Sequence, residues 1–78
     1  MSEYVINLTW DEKSAVWVAI NDDIPIALEN GSLDALILQV KHAVPEMLEA
    51  NGLLPESRIV QLRFNAERVE RLDCNRFL

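Results

Sequence analysis

The run Tyr4-Val5-Ile6-Asn7-Leu8-Thr9-Trp10, then Asp11-Glu12-Lys13-Ser14, then Ala15-Val16-Trp17-Val18-Ala19-Ile20, sets the architecture of this chain. Its first part alternates, with Tyr4, Ile6, Leu8 and Trp10 on one side and Val5, Asn7 and Thr9 on the other. A period of two is that of a half-buried strand. The polar tetrad has the size of a hairpin loop. Ala15 to Ile20 then contains no polar residue and is rich in the β-branched and aromatic types that suit a pleated sheet. A strand apolar on both faces is central in its sheet, or is covered on its second face by another chain. A four-residue loop that pairs Trp10 with Ala15 sets Leu8 opposite Trp17 and Ile6 opposite Ala19, with Val16, Val18 and Ile20 on the other face. A loop of three or five residues would exchange the two faces.

Working outward, Asn21-Asp22-Asp23 is a turn cluster, because Asn and Asp side chains bond their own backbone. Ile24 to Glu29 reads as a short third strand, with Pro25 confined to an edge or to the strand start because it has no N–H to donate. Asn30-Gly31 closes it, and Ser32 is an N-cap. Leu33, Leu36, Ile37, Val40, Val44, Met47 and Leu48 then recur at the spacing of one apolar helical stripe, with Asp34 favourably placed in the first turn. Pro45 removes a backbone donor and crowds the carbonyl of Lys41, so a kink is expected near 41–44; the stripe stays in phase across it. Asn51-Gly52-Leu53 reads as a Schellman ending with a left-handed Gly52, and Pro55 stops the helix. In the last strand, from Ile59 to Asn65, Val60, Leu62 and Phe64 point inward and Gln61, Arg63 and Asn65 outward. Residues 66–72 read either as an extension of this strand or as a weak helix.

The expected fold is therefore α+β, in the order β-β-β-α-β. It has an antiparallel sheet of three to four strands with one long, Pro-kinked helix packed on one face. Residues 1–72 form the single domain and 73–78 a flexible tail. One sheet face stays uncovered, and Val5, Val16, Val18 and Ile20 would make a wet apolar patch that a small monomer rarely leaves open. Self-association, most simply as a homodimer, is the first physical expectation. The proposed interface residues are Val5, Trp10, Val16, Val18, Ile20 and Arg63.

Composition narrows the function classes. The chain has 78 residues, half of them hydrophobic, and a formal net charge of −6. A surface of that sign repels phosphate backbones, so no direct nucleic-acid binding is expected. The charge is uneven: residues 1–54 carry nine acids against two lysines, while 55–78 carry five arginines (Arg58, Arg63, Arg68, Arg71 and Arg76) against four acids. One cysteine, Cys74, makes no internal disulfide; with no charged-then-apolar leader before Tyr4, a reducing cytoplasm is the expected compartment. No apolar run approaches the roughly 18 residues of a membrane span.

No reaction is spelled out. Asp11 with Glu12, and Asp22 with Asp23, are acidic pairs at turns, where ordinary turn polarity explains them better than a metal cage does. His42 lies off the apolar stripe with Glu46 four residues on, a solvated helix-face arrangement lacking a nucleophile. Ser14, Ser32 and Ser57 occupy turn or cap positions, and two glycines make no phosphate loop. Trp17 reads as hairpin core, whereas Trp10, at a strand end, is open to a partner. The arginines of the last strand read first as protection of a sheet edge and second as contacts to an acidic partner or second copy.

Tyr4 to Gly52 resembles the short members of the HicB-like antitoxin superfamily. The matching residues are Trp10-Asp11, Val16-Trp17-Val18-Ala19, Asn21-Asp22-Asp23-Ile24-Pro25, Glu29, Ser32-Leu33-Asp34-Ala35-Leu36 and Pro45 to Gly52. The resemblance implies a β-β-β-α-β domain like a pared-down ribonuclease H sheet. It also implies neutralisation of a small basic mRNA-cleaving toxin by covering its active histidine. Full-length bacterial antitoxins of this kind add a C-terminal DNA-binding segment, for which no room is expected after the last strand here. The chain departs from the pattern at Ile26-Ala27, where a glycine often follows the third-strand proline, and Val60 to Asn65 offers no carboxylate for ribonuclease H chemistry.

The functional expectation is a non-enzymatic protein-binding module, antitoxin-like, without cofactor, that dimerises and neutralises a small basic toxin or ribonuclease. The alternatives are a degenerate metal-dependent nuclease using Asp11, Asp22 or Asp23, and a small regulatory domain with a ligand pocket beneath the helix.

Overall fold

The computed structural model describes residues 2–75. The elements are β1 (Ser2–Asp11), β2 (Val16–Asn21), β3 (Ile26–Asn30), α1 (Leu33–Ala50) and β4 (Val60–Glu67). The expected α+β order is the observed one. The sheet runs β3-β2-β1-β4, with both hairpin pairs antiparallel and β4 parallel to β1. Chain parity explains the mixed sheet. Two hairpins bring β3 back to the direction of β1, α1 carries the chain the other way, and β4 returns alongside β1.

The first hairpin differs from the expected register. Trp10 pairs with Trp17 and Leu8 with Ala19, because the loop is Glu12–Ala15 and Asp11 still belongs to the strand, opposite Val16. Asp11 Oδ1 accepts from the Lys13 and Ser14 amides, and Ala15 closes the loop at φ 55°, in the left-handed region. The slip is one whole pair, so each side chain keeps its expected face. The second hairpin repeats the device: Asn21 Oδ1 accepts from the Asp23 and Ile24 amides, and β3 therefore begins at Ile26 rather than Ile24. Ile24 is nonetheless buried, delivered to the core from the turn, while Pro25 stays exposed.

The helix is a single span that continues through Pro45. Ser32 caps it, its Oγ accepting from the Ala35 amide at 3.2 Å. The Schellman ending forms as expected: Leu53 N–H donates to Leu48 O at 2.8 Å, Gly52 N–H to Glu49 O at 3.2 Å, and Gly52 has φ +67°. Leu36, Val40, Val44 and Leu48 are buried, mainly against β3 and β2. With Ile6, Leu8, Ala19, Ile24 and Ile26 they make up the core. Inward Val60, Leu62 and Phe64 of β4 are half-buried against it. The strand reading of residues 66 and 67 holds, and 68–73 form neither helix nor strand. Arg76, Phe77 and Leu78 lie outside the described residues, and with them the end of the expected tail. Among the described residues no helix is long and apolar enough to cross a membrane.

Two left-handed positions give a paired test by urea denaturation. Gly52→Ala meets no atom within 4 Å, so its cost is backbone strain alone, about 1–2 kcal/mol. Ala15→Gly relieves the same strain and raises stability, by about 0.5–1 kcal/mol once the added freedom of the unfolded chain is counted. Leu36→Ala, in the buried stripe, costs about 2–5 kcal/mol.

Candidate protein-binding surface

With α1 on the side of Ile6, Leu8 and Ala19, the other side of the sheet carries Val5, Val16, Val18 and Ile20. Registers place them. Val18 lies between Thr9 and Glu29, Ile20 between Asn7 and Ala27, and Val5 beside Arg63. Val16 and Val18 are half-buried by their neighbours, whereas Val5 is 37% and Ile20 44% exposed. Asn21 pins this corner, its Nδ2 donating to Val5 O at 2.7 Å.

A polar strip borders the patch on the β4 side. Arg63 Nε donates to Glu3 Oε1 at 2.7 Å, and Gln61 Nε2 reaches Glu3 Oε2 at 3.4 Å. The hydrogen bond that Arg63 donates to Glu3, and then the charge of Glu3, hold the Arg63 guanidinium still more firmly protonated than usual. Both partners remain well exposed, so the pair sets geometry more than stability. Arg63 thus shares a face with the four apolar residues, in an edge strand.

Trp10 does not join them. It sits on the opposite face, at the end of β1, edge-to-face with Trp17 at 5.6 Å between centroids and 64° between planes. The Arg68 guanidinium lies 3.9 Å from the Trp10 centroid and 6.0 Å from that of Trp17, while its Nε donates to Glu70 Oε1 at 2.6 Å. No local sequence pattern announces this cluster. Its one readable sign is the parallel register itself, because Thr9 opposite Glu67 puts residue 68 level with Trp10. A shallow cavity of about 240 Å³ lies here, lined by Thr9, Trp10, Glu12, Glu67, Arg68 and Val69. It is below the roughly 300–1,000 Å³ of small-molecule sites, and it lies away from α1.

The acidic turns are kept apart. Asp11 ends β1, paired with Val16 at the start of β2, and Asp22 and Asp23 lie beyond the end of β2, so six residues of strand, about 20 Å, separate them. Among the described residues no three His, Cys, Asp or Glu side chains gather to hold a metal. His42 is exposed on α1, and Cys74 is exposed and free.

Residues 3–75 match the family described as Domain of unknown function (DUF1902). The chain belongs to that family. The crystal structure of a hypothetical protein from the extremely thermophilic bacterium Thermus thermophilus superposes with a TM-score of 0.75 at 37% identity, over 90% of this chain and 99% of that one. No curated protein matches the chain. The DUF1902 match runs beyond β4, so residues 68–75, including Arg68, fall within the family's domain.

Stacking of exposed Arg68 on the half-buried Trp10 indole contributes about 0.5–1 kcal/mol. Arg68→Ala should lose that amount in urea denaturation and shift tryptophan emission to the red. Arg68→Lys, keeping the charge without the plane, should fall between the two.

Proposed function

We propose that this DUF1902 chain is a non-enzymatic protein-binding module of the HicB antitoxin type. It works as a homodimer and covers a small basic protein, such as an RNA-cleaving toxin. The observation that carries this reading is the open sheet face, where Val5, Val16, Val18 and Ile20 stand without cover from the chain's own helix. Contiguous apolar surface of this kind marks protein contacts. The β-β-β-α-β order supports the resemblance in Tyr4 to Gly52.

The partner's chemistry is argued from charge. Residues 1–54 hold nine of the thirteen acids, on hairpins and helix. Glu12, Asp22, Asp23, Asp34, Glu46 and Glu49 are all exposed. Such a surface steers a cationic protein into contact and repels nucleic acid. Division of labour then assigns the sheet face to self-association and the acidic turns and helix to the basic partner.

The test is a calorimetric titration of the full chain with the product of any short basic reading frame adjacent to its own gene, together with co-expression. A stoichiometric complex weakened about tenfold or more between low and high salt, with the partner's toxicity abolished, is the expected result. An absence of complex at micromolar concentration, with toxicity untouched, would overturn the reading.

A further inference from the structure

The chain does not fold back after β4. Every residue from 65 to 75 is exposed, with Arg68 held over Trp10 on the helix-covered side and Val69 at the rim of the cavity beside Trp10 and Glu12. Val69 is 82% and Leu72 69% exposed, the two barest large hydrophobic side chains among the described residues. The shape agrees. The radius of gyration is 15.7 Å, against about 11–12 Å for a compact chain of this length. The longest dimension is 57 Å, although a ten-residue strand such as β1 spans only about 33 Å. Val69 and Leu72 stand three residues apart, and both lie inside the family's domain.

We infer that residues 68–75 form an exchange arm. Val69 and Leu72 of one copy cover Val5, Val18 and Ile20 on the open face of a second copy, which returns the contact about a two-fold axis. The inference deepens the self-association half of the reading above and rests on it. The arm's own open face is a poor target, because the chain would have to reverse immediately after Arg68, which is anchored on the opposite face. Charge favours the second copy as well. Between the two hydrophobic residues of the arm lie Glu70, which Arg68 holds, and Arg71, and exposed Glu29 lies beside Val18 in the sheet, so the docking brings the Arg71 guanidinium to a carboxylate. Two unlike surfaces on one chain, each lacking a cover that the other supplies, are both satisfied in a closed dimer.

Because arm and patch are different surfaces, complementation separates this arrangement from a direct meeting of two patches. Full-length Val69→Asp/Leu72→Asp and full-length Ile20→Asp are each expected to sediment as monomers at concentrations where the native chain is a dimer, with native far-UV circular dichroism. Their one-to-one mixture should regain a heterodimer that keeps one of the two arm contacts, with Kd raised about tenfold or more over the native dimer. If Ile20→Asp fails to fold, Val5→Asp replaces it at an exposed position of the same patch. An arm variant that remains dimeric like the native chain, or a native chain that is monomeric throughout, would overturn the inference. Titration of the same variants with the basic partner is read separately. Loss of partner binding with complementation intact refutes the antitoxin reading alone, and the converse refutes the arm alone.

Discussion

An α-helix with its side chains is about 10–12 Å across, and strands lie about 4.8 Å apart, so a single helix spans roughly two strands. This sheet has four, and one helix to cover them. The stripe Leu36, Val40, Val44 and Leu48 takes its place over β3 and β2. The inward side of β4 is therefore only half-covered, by Tyr4 and by its own Val60, Leu62 and Phe64, and the outer face is left to solvent. The small buried centre, nine hydrophobic residues among those described, stems from this mismatch of width, and the open apolar patch from having a helix on one face alone. Chains of this length bury a smaller share of their unfolded surface than larger domains do, about 60–65%, which leaves their stability on a thin margin.

Most of the architecture was legible because it rests on local periodicity. Alternation from Tyr4 to Trp10 and from Val60 to Phe64, the 3.6-residue stripe, the Ser32 cap and the Gly52 ending each express a constraint that acts within a few residues. The register of the first hairpin was less legible, because either Trp10 or Asp11 can end a strand. What settles it is Asp11 capturing two loop amides while Ala15 turns left-handed, and nothing in alanine's usual preference announces that. The second hairpin shows the same ambiguity, with Asn21 in the role of Asp11. Side-chain facing survived because a slip of two residues preserves it.

The candidate surface was legible as a face and illegible as a set of contacts. Val5, Val16, Val18 and Ile20 come together because alternation carries across paired strands. The Glu3–Arg63 bridge joins residues sixty positions apart, and the Trp10–Arg68 stack fifty-eight, and both need the parallel β1–β4 register before they can be seen. That register also changes the meaning of the arginines. Arg63 is engaged by Glu3, and Arg68 by Trp10 and Glu70, so two of the five arginines are used within the chain. The acidic turns and helix are left as the outward charge.

Scattered exposed hydrophobic residues need no explanation, since folded proteins show many. Contiguity is what distinguishes this face. Val18 and Ile20 are successive outward residues of β2, Ile20 stands opposite Asn7, and Val5 is the next outward residue of β1 on the diagonal. Threonine or a charged residue at any of these positions would keep the β-structure and remove the wet apolar area, as Thr9, Glu29 and Arg63 do on the same face. Val16 and Val18 are half-buried by their own neighbours, whereas Val5 and Ile20 gain little from the chain's own packing. Their presence at adjacent sites, in a chain that also leaves Val69 and Leu72 bare, is what the proposed cover by a second copy accounts for.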